Sequence, residues 1–291
     1  MFSNRKITFI GPGVMAEAMI GGLIREKVAQ ADALLAAGPN QERIDELVGK
    51  YAIRGDIDNA AAARQADVVV LSVKPQALDK VLAGLRGVLR PEALVLSIVA
   101  GAPIAKISAG LKHTTVVRSM PNTPAQIGEG ITVWTAAPGV DAEQREMARQ
   151  ILCALGDEIF VEEETYLDMA TALSGTGPAY VFLFMEAMVD AGVHLGFPRR
   201  IAEQLVAKTV RGSVDYYAKR DDPVHLARLR NQVTSPGGTT AYALYYLEKA
   251  GFRTALSRAI WAAYERSREL GKGGRSHTPE LPGNAPEDQG G

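Results

Sequence analysis

Two glycine-rich segments hold the residues whose types and spacing could do chemistry. The first is Gly11-Pro12-Gly13-Val14-Met15-Ala16, which follows the apolar run Lys6–Ile10 and precedes a stretch with helical spacing. Gly11 permits a tight turn, Gly13 allows close approach of a pyrophosphate to the backbone, and the helix N-terminus supplies N–H donors. Glycine spacing of this kind, between a strand and a helix, predicts dinucleotide binding.

The segment after the second predicted strand bears on which dinucleotide binds. A site for NAD has a carboxylate there to accept a hydrogen bond from the ribose 2′-hydroxyl. This chain has Gly38-Pro39-Asn40-Gln41-Glu42-Arg43, in which Glu42 is expected to fall in the next helix. Asn40 and Arg43 are suited to a 2′-phosphate, so the sequence favours NADPH, while NADH stays possible. The alternative that Arg43 is only a solvated helix residue remains open.

The second segment is Thr234-Ser235-Pro236-Gly237-Gly238-Thr239-Thr240, directly before another predicted helix. Its glycines expose successive backbone N–H groups, which together with the hydroxyls form an anion nest sized for a carboxylate. An N-terminal cap made by the Ser and Thr hydroxyls is the alternative interpretation.

Composition argues against several other classes of function. The chain has 32 basic and 33 acidic residues, so it lacks the basic excess expected of a protein that binds nucleic acid. A single cysteine, Cys153, excludes a disulfide framework, and four histidines without ligand spacing give no reason to expect a metal site. We expect Cys153 to be buried on a helix facing the sheet.

No segment predicts a membrane partner. The longest apolar run, Ala179–Met185, is far shorter than the roughly 20 residues that span a bilayer, and the first residues lack the apolar stretch of a signal peptide. We therefore expect a soluble, cytoplasmic protein.

The residues up to about 162 alternate between short apolar runs and stretches with helical spacing. This alternation predicts an α/β fold, with an N-terminal Rossmann-like doubly wound domain and the last two runs as antiparallel additions at the sheet edge. The seven predicted strands are Lys6–Ile10, Asp32–Ala36, Val68–Val73, Ala93–Val99, Thr115–Met120, Ile131–Thr135 and Glu158–Val161. We expect residues 1–162 to form the dinucleotide-binding domain.

After residue 162 the pattern becomes helical, which predicts a C-terminal all-helical domain over residues 163–270 for substrate binding and dimerisation. Residues 271–291 are rich in Gly and Pro and are expected to form a flexible tail. The predicted helices are Leu167–Leu173, Pro178–Leu195, Arg199–Ala218, Val224–Gln232, Thr239–Ala250 and Arg253–Leu270. Ala179–Met185 is apolar all the way round, so a second subunit is expected to cover part of it, as in a homo-oligomer.

Five separate motifs resemble those of the pyrroline-5-carboxylate reductases, and the resemblance extends over about residues 5–270. The most specific is Asn231–Thr240, which continues to Leu247-Glu248 and Gly251-Phe252-Arg253. The others are Phe9–Ala18, Ser72-Val73-Lys74-Pro75-Gln76, Met120–Ala125 and Leu173–Tyr180.

The resemblance implies an oxidoreductase that reduces the cyclic imine 1-pyrroline-5-carboxylate to L-proline with NAD(P)H, the last step of proline biosynthesis. It also implies site residues, transferred position by position. The cofactor positions are Gly11, Gly13, Val14, Met15, Gly38, Asn40, Asn59, Val73, Lys74 and Ala100, and the substrate positions are Ser235, Gly238, Thr239 and Thr240. Thr240 matches the hydroxyl that reaches the ring nitrogen and is the catalytic candidate. An acidic substrate contact at Asp221 or Asp222 is left open.

The proposed chemistry needs little from the protein besides positioning. A cyclic imine that is partly protonated near neutral pH already accepts hydride, so the site needs no strong acid. A 3-hydroxyacid dehydrogenase would need a proton relay, but its lysine and asparagine positions hold Val181 and Met185 here. A reductase of a six-membered imine such as piperideine carboxylate stays open, because one methylene changes binding by only about 1–3 kcal/mol. A non-catalytic NADP-binding regulator is a further alternative.

Overall fold

The computed structural model describes residues 5–220 and 222–271. Its first part is an eight-stranded sheet in the order β3-β2-β1-β4-β5-β6-β7-β8. The strands are β1 (Ile7–Ile10), β2 (Leu34–Ala37), β3 (Arg54–Asp56), β4 (Val68–Leu71), β5 (Leu94–Ser97), β6 (Val116–Met120), β7 (Gly130–Ala136) and β8 (Gly156–Phe160). Strands β1 to β6 are mutually parallel, β7 is antiparallel to β6, and β8 is parallel to β7.

Helices cover the sheet, and every residue of β1, β2, β4 and β5 is buried. Burial on both faces is what near-continuous runs of Val, Ile and Leu predict for a parallel sheet. The helices are α1 (Val14–Arg25), α2 (Gln41–Tyr51), α3 (Asn59–Arg64), α4 (Pro75–Leu85), α5 (Ile104–Leu111) and α6 (Ala142–Cys153). The expected Rossmann-like α/β region is thereby confirmed, including the antiparallel additions at its edge.

Two sequence expectations in this region were wrong. Strand β3 was missed, because Arg54-Gly55-Asp56 has no apolar side chain, although it pairs with β2 from Leu35 to Ala37. Cys153 is exposed rather than buried, since it is the last residue of α6, and its Sγ lies 3.5 Å from an Arg149 guanidinium nitrogen.

The second part of the chain is helical, as predicted. It comprises α7 (Tyr166–Ala170), a π-helical turn (Thr171–Gly175), α8 (Gly177–His194), α9 (Arg199–Ala218), α10 (Leu226–Gln232), α11 (Thr239–Lys249) and α12 (Phe252–Gly271). Helices α8 and α9 pack around a small apolar cluster of Val189, Ala202 and Val206. Helix α12 returns to the sheet region, where its last turn contacts Gly101. The predicted tail, 271–291, lies outside the described residues from 272 onward.

The all-apolar segment of α8 is not covered by the part of the chain that the structure describes. Phe182 is 63% and Leu183 is 66% exposed. The helical run 166–194 is the one stretch of the described residues long and apolar enough to cross a membrane by length and composition. One such helix is weak support for a membrane span, because a helix that a second subunit covers has the same composition.

Candidate active site

The predicted cofactor residues lie at the carboxyl edge of the parallel strands. Strand β1 lies between β2 and β4. From β1 the chain proceeds through β2 to β3 on one side, and then crosses over to continue with β4 on the other side, so the strand order reverses at this point. Ligands of doubly wound sheets bind in the crevice formed at such a reversal. The loop after β1 therefore occupies the position where a dinucleotide is expected.

The geometry of the first glycine loop explains its composition. Gly11 has φ +95°, and a Cβ at this position would lie 2.6 Å from the Val73 Cγ1 atom. The Ser72 hydroxyl donates to the Gly11 carbonyl at 2.9 Å and holds the loop against the end of β4. Gly13 is the N-cap of α1, and its missing Cβ faces open space. The result is a cradle beside an uncapped helix N-terminus, which fits a pyrophosphate.

The loop after β2 packs directly on this cradle. A Cβ on Gly38 would lie 2.6 Å from Pro12 Cδ, so the two loops can meet only because residue 38 is a glycine. The Asn40 side chain accepts a hydrogen bond from the Arg43 backbone N–H and caps α2. Glu42 lies in the first turn of α2, so the carboxylate typical of an NAD site is absent from this loop, as predicted.

Arg43 is held by an ion network between α1 and α2. Its guanidinium donates to the Pro12 carbonyl at 2.9 Å, to Glu46 at 2.6 Å and to Glu17. Glu17 also accepts from Lys50 at 2.8 Å. Hydrogen bonds from Lys50 and Arg43 lower the pKa of Glu17 from 4.5 to about 2, and Glu17 in turn raises the pKa of Arg43. Arg43 is therefore held in place by intramolecular partners rather than freely solvated, and its contact with a cofactor stays a prediction.

The remaining cofactor candidates also lie along this edge. Asn59 opens α3, and its side-chain oxygen is buried without a hydrogen-bond partner among the described residues. Lys74 is the exposed N-cap of α4, and half-buried Ala100 follows β5. Val14 is exposed in the first turn of α1, whereas Met15 packs against the core. The orphaned Asn59 acceptor and the open Gly13 cradle fit a bound dinucleotide.

The second glycine segment forms the loop before α11. Gly238 is the N-cap, and no side chain caps the helix, so the hydroxyls of Ser235, Thr239 and Thr240 are not used as caps. Gly237 has φ +70°, and the Gly238 N–H donates to the Ser235 carbonyl at 3.1 Å. The capping alternative is thus not supported, and the first-turn N–H groups, which have no partner within a helix, suit a carboxylate.

One chain does not join the two candidate clusters. Among the hydrogen bonds of the described residues, none links the segment 222–251 to residues 5–162. Helix α11 has no buried residue and packs against α12. Asp222 is exposed, and Asp221 lies outside the described residues. Within the described part of the chain, no hydrogen bond therefore connects the loop before α11 with the first glycine loop.

Comparison with known proteins connects these two clusters to one family. A family model described as pyrroline-5-carboxylate reductase dimerisation matches residues 164–270, and one described as NADP oxidoreductase, coenzyme F420-dependent, matches residues 6–101. The pyrroline-5-carboxylate reductase of Synechocystis sp. is 43% identical over 268 residues, covering 92% of this chain and 98% of that protein. This chain belongs to the pyrroline-5-carboxylate reductase family.

Further members of the family support the match over the whole fold. The pyrroline-5-carboxylate reductase of Pseudomonas aeruginosa is 43% identical over 269 residues, covering 92% of this chain and 97% of that protein. A solved structure of pyrroline carboxylate reductase from Plasmodium falciparum, with NADP bound, superposes with a TM-score of 0.85 at 33% identity. It covers 92% of this chain and 99% of the other.

Two residues that support the cofactor loop were not among the sequence candidates. Ser72 anchors the Gly11 carbonyl, and Glu17 holds Arg43. Both lie inside the stretches that carry the family resemblance, Ser72 beside Val73-Lys74 and Glu17 directly after Met15-Ala16. The location of Ser72 and Glu17 within the family motifs was the signal available in the sequence. It did not reveal which residues they bind.

Proposed function

We propose that this chain is an NADPH-dependent oxidoreductase that reduces 1-pyrroline-5-carboxylate to L-proline in proline biosynthesis. The observation that carries the proposal is the 43% identity to curated pyrroline-5-carboxylate reductases along nearly the whole chain. The match covers 92% of the chain, and the first glycine loop has the open cradle that a pyrophosphate needs.

The bound dinucleotide would supply the hydride, and the chain's residues would hold it at the carboxyl edge of the sheet. Gly11, Gly13 and the first turn of α1, with Val14 and Met15, would bind the pyrophosphate. Gly38 and Asn40 would lie by the adenosine ribose, and Asn59 would offer its free acceptor to the adenine. Val73, Lys74 and Ala100 would line the rest of the cleft.

The loop before α11 would bind and orient the substrate. The backbone N–H of Thr239, at the first position of α11 directly after Gly238, suits the substrate carboxylate together with the Ser235 hydroxyl. The Thr240 hydroxyl would orient the ring nitrogen, which carries the proton, while hydride adds to the neighbouring ring carbon. Threonine is a poor general acid, so its role here is to position the substrate.

A second copy of the chain would complete this arrangement. The dimerisation model covers the helical region, and a homo-oligomer formed there would bury the exposed apolar residues of α8. We place the domain division at 162/163, between β8 and α7. A cytoplasmic location belongs to the same proposal, because the single cysteine is a free, exposed thiol, as expected in a reducing compartment.

The test is an assay of the purified protein with NADPH and each of two cyclic imines, and with NADP⁺ and a 3-hydroxyacid. We expect loss of the reduced-nicotinamide absorbance with pyrroline-5-carboxylate and formation of proline. Faster turnover of piperideine carboxylate would reassign the substrate, and turnover of a 3-hydroxyacid with NADP⁺ would refute the imine assignment. Binding of NADPH without turnover of any substrate would indicate a regulator.

Substitution of Thr240 tests the substrate loop. Loss of one hydrogen bond to a charged group removes about 1.5–3 kcal/mol, so Thr240→Ala should lower kcat/KM for the imine roughly ten- to over a hundredfold. Thr240→Ser should recover most of the activity, and NADPH affinity should barely change. Thr254→Ala, in the first turn of α12, is the matched control. A Thr240→Ala enzyme with normal kcat/KM would remove Thr240 from the site.

A further inference from the structure

A buried ion cluster lies where the sheet meets the helical region. Arg118, on β6, is only 3% exposed. Its guanidinium donates to Glu164 Oε1 at 3.0 Å and to Asp168 Oδ1 at 2.8 Å. A buried guanidinium is tolerated only with partners of this kind, so the position of each partner is closely defined.

Both carboxylates bind a second donor, which extends the cluster to two more helices. Glu164 Oε1 accepts the backbone N–H of Ile104 at 2.7 Å and so caps α5, whose own N-cap residue, Pro103, cannot do so. Asp168 Oδ1 accepts from the hydroxyl of Ser267, a 2% exposed residue of α12, at 2.9 Å. Arg118, Glu164, Asp168 and Ser267 are called the Arg118 cluster below.

The elements joined by the Arg118 cluster carry two loops of the cofactor edge. Strand β6 runs directly into the turn 121–124, and α5 begins directly after the loop 100–103 that follows β5. The second loop is also clamped from outside by α12. Gly101 has φ +70°, and a Cβ there would lie 2.7 Å from the Ser267 carbonyl oxygen and 2.8 Å from Leu270 Cβ.

We propose that Arg118 is a positioning residue, which fixes the loops 100–103 and 121–124 relative to the helical region that carries the substrate loop. It acts through Glu164 on the start of α5 and through Asp168 on α12, without touching cofactor or substrate. The inference rests on the proposed function, because it concerns the alignment of the imine with the nicotinamide. A hydrophobic contact would also hold the sheet region and the helical region together. It would not fix their relative orientation, because it lacks the directional geometry of the guanidinium–carboxylate hydrogen bonds.

Arg118→Lys is the main test, because a lysine keeps the charge but cannot donate to both carboxylates in the fork geometry. A misplacement of about 1 Å costs on the order of a hundredfold in rate, so we expect kcat for the imine to fall roughly ten- to a hundredfold. The NADPH dissociation constant should change by less than about threefold, because the pyrophosphate loop lies beyond β4 and β5. Amide exchange across residues 99–104 should become faster in the cofactor-free protein.

Arg90→Lys is the matched control. Arg90 also bridges two carboxylates, Asp67 and Glu92. These residues precede β4 and β5, so this ion network lies at the amino ends of the strands, opposite the cofactor edge. This variant should keep the wild-type kcat and the wild-type exchange of residues 99–104.

Ser267→Ala keeps the test decisive if the Arg118→Lys protein fails to fold. It removes one bond at the periphery of the cluster, and we expect a smaller fall in kcat, about three- to tenfold, with faster exchange at 99–104. Normal kcat and normal exchange, with only a lower Tm, would overturn the proposal and leave the cluster a purely stabilising role. If the wild-type protein has no imine reductase activity, the proposed function is refuted. The amide-exchange measurement would then still test whether the Arg118 cluster holds residues 99–104.

Discussion

Replacement of Arg43 tests how the chain selects its dinucleotide. Three of the five guanidinium N–H groups are already donated, to Pro12, Glu46 and Glu17. Two remain for a 2′-phosphate beside Asn40, and the side chain is 22% exposed. A charge-assisted hydrogen bond is worth about 1.5–3 kcal/mol, which partial exposure reduces to about 1–2 kcal/mol. Arg43→Met should therefore lower kcat/KM for NADPH roughly 5- to 30-fold.

The assay compares NADPH with NADH at saturating imine. NADH has no 2′-phosphate, so its kcat/KM should fall by less than about threefold, and the preference for NADPH should shrink accordingly. Arg64→Met, at the end of α3 and the amino edge of the sheet, should leave both cofactors unaffected. Equal losses with both cofactors would refute the reasoning, because Arg43 would then act only as a strut that holds the Pro12 carbonyl.

Two further predictions concern stability. Glu17 has its pKa lowered to about 2, so its ionised form stabilises the fold above its ordinary pKa of 4.5, and this contribution is lost as the pH falls toward 2. Glu17→Gln should lower Tm by a few degrees at pH 7 but not near pH 2, and an equal difference at both pH values would contradict the ion network. Thr132 is fully buried in β7, and its hydroxyl has no hydrogen-bond partner within the described ranges 5–220 and 222–271. Thr132→Val should therefore be neutral or raise stability by about 1 kcal/mol in thermal unfolding, and a clear loss would reveal a hidden partner.

The sequence predicted those features that depend on local pattern. The apolar runs located the buried strands, and the glycine spacing located both loops, because a tight turn allows few residue types. It missed β3, whose pairing comes from its neighbour β2 rather than from its own side chains. The partners of Arg43 and Arg118 were equally out of reach, since Glu17 lies 26 residues from Arg43 and Asp168 lies 50 residues from Arg118. Contacts of this length follow from the topology and leave no local periodicity.

The two ends of the sheet differ in how they resist association with other sheets. Strand β3 has only three residues, with Arg54 exposed at the margin, so it offers a foreign strand a short and charged template. Strand β8 is longer and has the exposed apolar side chains Ile159 and Phe160 beside its charges. Strand-to-strand aggregation at high protein concentration should therefore begin at β8. The substitution Ile159→Lys should suppress this aggregation and leave β3, at the other end of the sheet, unchanged.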